Sequence, residues 1–127
     1  MKAVLVAIAL AGAASLAIAA PEPGTGRQCF YSRDVTSWRA VGAQQVNIQV
    51  NHRDVYRLDL VAACPQLSSA GETLGLVPFG ASDQVCLGIQ VDVVVPQRGM
   101  TPIPCPVKTI TRLSPAEAKA LPKRQQP

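Results

Sequence analysis

The segment "QQVNIQVNHRDVYRLDLVAAC", Gln44 to Cys64, decides how the rest of the chain is read. Val46, Ile48 and Val50 alternate with Asn47, Gln49 and Asn51, and then Tyr56, Leu58 and Leu60 alternate with Val55, Arg57 and Asp59. A period of two puts successive side chains on opposite faces of an extended strand. A turn at His52-Arg53-Asp54 sets Val50 against Tyr56, Ile48 against Leu58 and Val46 against Leu60 on one apolar face. The other face pairs Gln49 with Arg57 and Asn47 with Asp59, which predicts a half-solvated antiparallel hairpin.

On the N-terminal side, "CFYSRDVTSWRAVG" mixes aromatics with turn formers and predicts a short strand followed by an irregular or single-turn piece ending near Gly42. Further upstream, "PEPGTG" is a Pro/Gly linker, and "MKAVLVAIALAGAASLAIAA" is one lysine followed by an uncharged apolar run ending in small residues. That pattern is a secretory signal peptide, with the Ala17-Ile18-Ala19 triplet placing cleavage after Ala19. The alternative, an uncleaved anchor, is the one route to a membrane that the sequence offers. The resulting organisation is a signal peptide at 1–19, a linker at 20–26, one domain at 27–121 and a flexible tail at 122–127.

On the C-terminal side, "TLGLVPF" predicts a brief strand and "QVCLGIQVDVVV" the longest one, with Ile89, Val91, Val93 and Val95 on a shared face. A bulge at Gly88 turns Cys86 inward. The proline-rich stretch from Gln97 to Pro104 lacks the N–H groups for a continuous ladder and is expected to be exposed, with Arg98, Gly99 and Met100 at its tip. A last strand, "CPVKTITRL", leads into Ser114-Pro115-Ala116-Glu117, a capping box with proline at the first helical position, and a helix of about two turns. Together these elements predict a mostly β domain: a small antiparallel barrel or sandwich of about 5–7 short strands, disulfide-stapled, with a short C-terminal helix.

Four cysteines in a chain with a secretory leader point to structural disulfides. No C-x-x-C is present, so the close ligand pairs of a zinc ribbon and the active pair of a thioredoxin-like centre are both missing, and neither metal nor cofactor is expected. Four cysteines allow three pairings. If the first and last strands are neighbours, as closing a small barrel requires, Cys29 reaches Cys105 and leaves Cys64 with Cys86.

Taken together, Cys29-Phe30, "DVTSW" with Asp34 and Trp38, "VYRLDL" leading to Cys64 and Leu67, Val85-Cys86 and "CPVKTITRLSPAE" from Cys105 resemble a family of small exported bacterial envelope proteins catalogued only as a domain of unknown function. The resemblance covers roughly residues 27–121. It implies export and supplies no activity.

Chemistry-bearing groups are few. The only histidine, His52, lies at the expected hairpin tip, with Asp34, Asp54 and Asp59 as candidate orienting acids. Asp59 and Asp92 are the candidate carboxylate pair, and Trp38 and Tyr56 are the candidate stacking platforms, each read ahead of that as core or core edge. No G-x-S-x-G, P-loop or H-E-x-x-H motif occurs. The net charge of +4 is spread without a run, which argues against nucleic acid as a partner. The expectation is a non-catalytic, periplasmic or secreted envelope protein that binds or supports another component, a protein ahead of a small molecule. The alternatives are an inhibitor or ligand-binding protein acting on a cell-wall or secreted hydrolase, and an enzyme of unrecognised type. The candidate interaction residues are Arg98, Gly99 and Met100, and the polar stripe Asn47, Gln49, Arg57 and Asp59.

Overall fold

The computed structural model describes residues 29–69 and 73–127. The leader, the linker and the cleavage point lie outside them. In chain order the strands are β1 (Phe30–Tyr31), β2 (Val35–Val41), β3 (Gln45–Val50), β4 (Asp54–Leu60), β5 (Gly75–Pro78), β6 (Gln84–Val85), β7 (Val91–Val94) and β8 (Pro104–Arg112), followed by helix α1 (Pro115–Ala120). Six of them form one curled half-barrel sheet in the order β2-β3-β4-β8-β7-β5, and β1 pairs with β6 in a separate two-stranded sheet. Every pairing is antiparallel.

The hairpin of Gln44 to Cys64 forms as β3 and β4, with the faces read from the sequence and a different register. Val50 pairs with Asp54, Ile48 with Tyr56, Val46 with Leu58 and Asn47 with Arg57, two residues from the expected alignment. Asn51 and His52 both adopt left-handed torsions, with φ of 53° and 57°, and the Arg53 amide donates back to the Val50 carbonyl at 3.1 Å. Two consecutive left-handed residues make the tight turn whose twist matches that of antiparallel strands, so the turn begins at Asn51 and frees Asp54 for the ladder. A slip of two residues leaves each side chain on its own face, which is why the apolar set is unchanged.

That apolar face is the core. Val46, Ile48, Leu58, Val91 and Val93 are fully buried, with Phe30, Tyr56, Leu60, Val85 and Val107 packed among them. Full burial of an Ile48 or a Leu58 stabilises by roughly 1.5–3 kcal/mol each. The Phe30 and Tyr56 rings lie 5.0 Å apart, and the Tyr56 hydroxyl donates to the Cys29 carbonyl at 3.3 Å. Tyr56 is therefore a core residue, and Trp38 packs half-buried at the core edge.

Three further expectations are corrected. The piece after Cys29 is not irregular beyond its first turn: Val35–Val41 is a full seven-residue edge strand, paired with β3 and broken by one register shift between Val35 and Ser37. Its short polar residues face outward, and only Val35, Trp38 and Ala40 pack on the core.

The stretch Gln84 to Val95 is not one strand. A 3-10 turn at Gly88–Gln90 separates β6 from β7 and takes the place of the expected bulge. The Gln90 side-chain oxygen accepts from the Cys86 and Leu87 amides at 2.8 Å each, holding the turn closed. Gly88 lies so close to β8 that a methyl there would sit 2.5 Å from the Lys108 carbonyl oxygen. Val91, Val93 and Val95 face the core as read, but the turn throws Ile89 outward, to 77 % exposure.

The disulfides are Cys29–Cys86 and Cys64–Cys105, not Cys64–Cys86 and Cys29–Cys105. The assumption behind the expected pairing fails because β1 lies beside β6 and not beside β8. Phe30 opposite Val85 brings Cys29 to Cys86, with Cα atoms 4.1 Å apart. The second bridge ties the turn after β4 to β8, where the Val61 amide also donates to the Pro106 carbonyl.

The C-terminal helix forms at the expected place, over six residues and with the serine half of the expected capping box. Ser114 Oγ accepts from the Glu117 amide at 3.1 Å, with Pro115 at the first helical position. Within the last six residues, a further 3-10 turn at Lys123–Gln125 packs on the sheet.

Candidate functional site

Pairing register places the polar stripe on the convex face of the sheet in three rows. Arg39, Asn47, Arg57 and Thr111 are successive cross-strand neighbours; so are Val41, Gln45, Asp59 and Thr109; and Ser37, Gln49 and Val55 form the third. The stripe is thus real as an alignment, but much of it is committed to the chain itself. Asn47 is fully buried, and its Nδ2 donates to the Gln125 carbonyl at 2.9 Å, while Arg39 Nε donates to the Gln126 carbonyl at 3.3 Å. Asp59 accepts from Gln45 Nε2 at 2.7 Å and from Thr109 Oγ1 at 3.2 Å. Gln49 Oε1 accepts from Ser37 Oγ at 3.1 Å. The C-terminal turn therefore covers the centre of the stripe, leaving Asn47 Oδ1 and Arg57 Nε buried without a hydrogen-bond partner among the described residues.

A second arrangement gathers where the β3–β4 turn meets the C-terminal helix. Here a cleft of about 580 Å³ is walled by Gln49 near the end of β3, His52 and Arg53 of the turn, Asp54 and Val55 at the start of β4, Arg112 and Leu113 at and just after the end of β8, Pro115, Ala118 and Lys119 from α1, and Gln126 and Pro127 of the C-terminal segment. The walls are held in place by the Leu113 amide donating to the Val55 carbonyl at 2.8 Å. Asp54 spans two guanidinium groups, with Oδ1 2.9 Å from Arg112 and Oδ2 3.5 Å from Arg53. Tyr56 lies beside this pair. Burial raises its hydroxyl pKa above the usual value, Arg112 pulls it down and Asp54 pushes it up. None of Arg53, Arg112 and Lys119 stood out in the sequence, because they come from three separate elements and none lies in a basic run.

The candidate catalytic groupings are not brought together among the described residues. The His52 imidazole sits on the exposed turn with no hydrogen-bond partner among the described residues, and its backbone amide donates to Thr36 Oγ1 at 3.3 Å. Asp34 pairs with Arg33 and Asp54 with the two arginines, so neither orients His52. Asp59 on β4 and Asp92 on β7 flank β8. Asp92 stands across from Val77 and Pro106, and desolvation there raises its pKa above the ordinary carboxylate value. No group of three or more His, Cys, Asp or Glu side chains is placed to hold a metal ion among the described residues.

The 97–104 loop is less irregular than expected. Gln97 and Met100 pair as an isolated bridge around Arg98 and Gly99, and Gly99 takes φ of +72°, the left-handed torsion such a turn requires. Arg98, Gly99 and Met100 are all exposed, as are Ile103 and Pro104 before the strand that carries Cys105.

These features define a disulfide-stapled, antiparallel half-barrel with a short C-terminal helix packed at one end. The chain belongs to a family of unknown function, DUF6491, whose pattern matches residues 1–127. No curated protein and no solved structure matches it. Its two disulfides suggest an oxidising, extracellular environment. Among the described residues no helix is long and apolar enough to cross a membrane.

Proposed function

We propose that this protein is a non-catalytic module of the bacterial envelope, exported to the periplasm or beyond, that binds or supports another envelope protein through the Arg98–Met100 turn. The observation that supports this reading is how the turn is presented. Arg98 and Met100 project into solvent without an intramolecular partner among the described residues, from a two-residue bend closed by Gln97 and Met100. Prolines at 96, 102 and 104 limit the conformations the segment can lose on binding, and Cys105 anchors the following strand covalently to Cys64. A restrained loop with an exposed cation and a pliable apolar side chain gives up little entropy when a partner closes over it. The same presentation suits an inhibitor of a cell-wall or secreted hydrolase, which is the second reading.

Crosslinking in intact cells followed by partner identification tests the proposal. A protein captured by wild type and lost on replacing Arg98 and Met100 with serine supports it, whereas undiminished capture removes the loop from the interface. Single replacement of His52, Asp59 and Asp92 addresses catalysis, and a cellular defect confined to those variants would favour an enzyme.

A further inference from the structure

We infer that the cleft between the β3–β4 turn and α1 is a binding site for a small anion with an apolar body: a carboxylate or phosphate monoester head on a short hydrocarbon. It is a different surface from the 97–100 turn, and it stands whether or not that turn binds a protein.

Size comes first. At about 580 Å³ the cleft falls in the range of small-molecule sites, roughly 300–1,000 Å³, and its lining is mostly apolar, with Pro115, Ala118 and Pro127 beside the largely buried Val55 and Leu113. Charge comes next. Arg53, Arg112 and Lys119 are cationic side chains on the lining, and Asp54 is the one acidic side chain among the lining residues, which also include the neutral side chains of Gln49, Gln126 and Pro127.

Asp54 occupies part of the hydrogen-bonding capacity of two guanidinium groups, each of which carries five N–H donors. It therefore orients both arginines while cancelling the charge of only one. Lys119 has no acidic partner among the described residues, and Gln49, whose Oε1 is already taken by Ser37, still has its amide N–H groups to offer. What remains on the rim is donors and positive charge, the complement of an oxyanion, while a cation would meet net repulsion. Beneath it, the apolar floor has nothing to offer the polar head and is complementary to a hydrocarbon.

The test uses the oxidised, isotope-labelled protein and four probes: octanoate, monooctyl phosphate, inorganic phosphate and octylamine. Octanoate or monooctyl phosphate should cause saturable amide shifts centred on Gln49, Val55, Leu113, Ala118 and Lys119, and the tighter of the two identifies the preferred head. Inorganic phosphate, lacking the hydrocarbon, should bind at least about tenfold more weakly than its octyl ester. Binding should weaken as salt is raised, since the attraction is between charges at the surface. The double variant Arg53→Gln/Lys119→Gln should lose about tenfold or more in affinity with the core amide resonances unmoved. Octylamine binding as tightly as the anions, shifts centred outside the cleft, no shift with either octyl anion, or full affinity in the double variant would each overturn the assignment.

Discussion

The two halves of the fold are held together by different means. In β3 and β4, six consecutive residue pairs ladder without interruption and the inward side chains are fully buried. In β5 and β7 each strand has four residues, β6 has two, and 3-10 turns and prolines fill the gaps between them. Short strands offer few cross-strand pairs, so their order has to come from elsewhere. Here it comes from covalent bonds, with Cys86 tied to Cys29 and Cys105 to Cys64, and from the close seating of Gly88 on β8. Where alternation is regular, packing defines the structure; where it is broken, cross-links do.

If covalent closure carries the second half, removing it should have the largest effect. Opening the Cys64–Cys105 bridge, which spans a separation of 41 residues, is expected to cost about 4 kcal/mol in the chain-entropy model, read as a drop in the denaturant midpoint of Cys64→Ala/Cys105→Ala. Hydrogen exchange should show β5 and β7 losing protection before β3 and β4; uniform loss would mean that the halves share one source of stability. Leu58→Ala attacks the packed half instead. At 0 % exposure it should cost about 3 kcal/mol and lower the protection of β3 and β4 first.

Gly88→Ala tests the seating on β8. The added methyl would clash with backbone, not with a side chain that can swing away, so a loss of about 1–3 kcal/mol is expected; an unchanged melting temperature would show that the turn can lift off.

The smallest effect concerns pH. Desolvation lifts the Asp92 carboxyl above its ordinary value, so the folded protein holds that proton more tightly than the unfolded chain. Its stabilising contribution is complete at acid pH and disappears as pH rises through the folded-state value. Asp92→Asn should therefore raise the unfolding midpoint slightly near neutral pH and not at acid pH. An equal gain at both would rule out ionisation as the cause.

The same contrast explains what could be read from the sequence. The hairpin faces, the capped helix and the inward Val91, Val93 and Val95 were legible because each follows from a local period or a cap signature. Register was not, because it depends on which residues take left-handed torsions, and Asn51 with His52 did so one step earlier than the His52-Arg53-Asp54 turn required. Ile89 kept its place in the alternation but lost its place in the core once Gln90 closed the turn. The disulfide pairing rested on which strands are neighbours, a long-range property that spacing does not contain. For the sites, the polar stripe was visible as a pattern, but its burial under Gln125 and Gln126 was not. The cleft was invisible, since its cations meet only when β8 and α1 return to the β3–β4 turn.

The interleaved bridges, first cysteine to third and second to fourth, also bear on biogenesis. If the chain is exported, as proposed above, and is oxidised as it emerges N-terminus first from a translocation channel, it presents Cys64 to Cys29 before Cys86 appears, and the pair formed soonest is a wrong one. Correct maturation then requires either that the thiols stay reduced until β8 has joined the sheet or that an isomerase reshuffles them. Yield in a host lacking disulfide isomerase should fall accordingly, with the missing fraction recovered as a misbridged monomer.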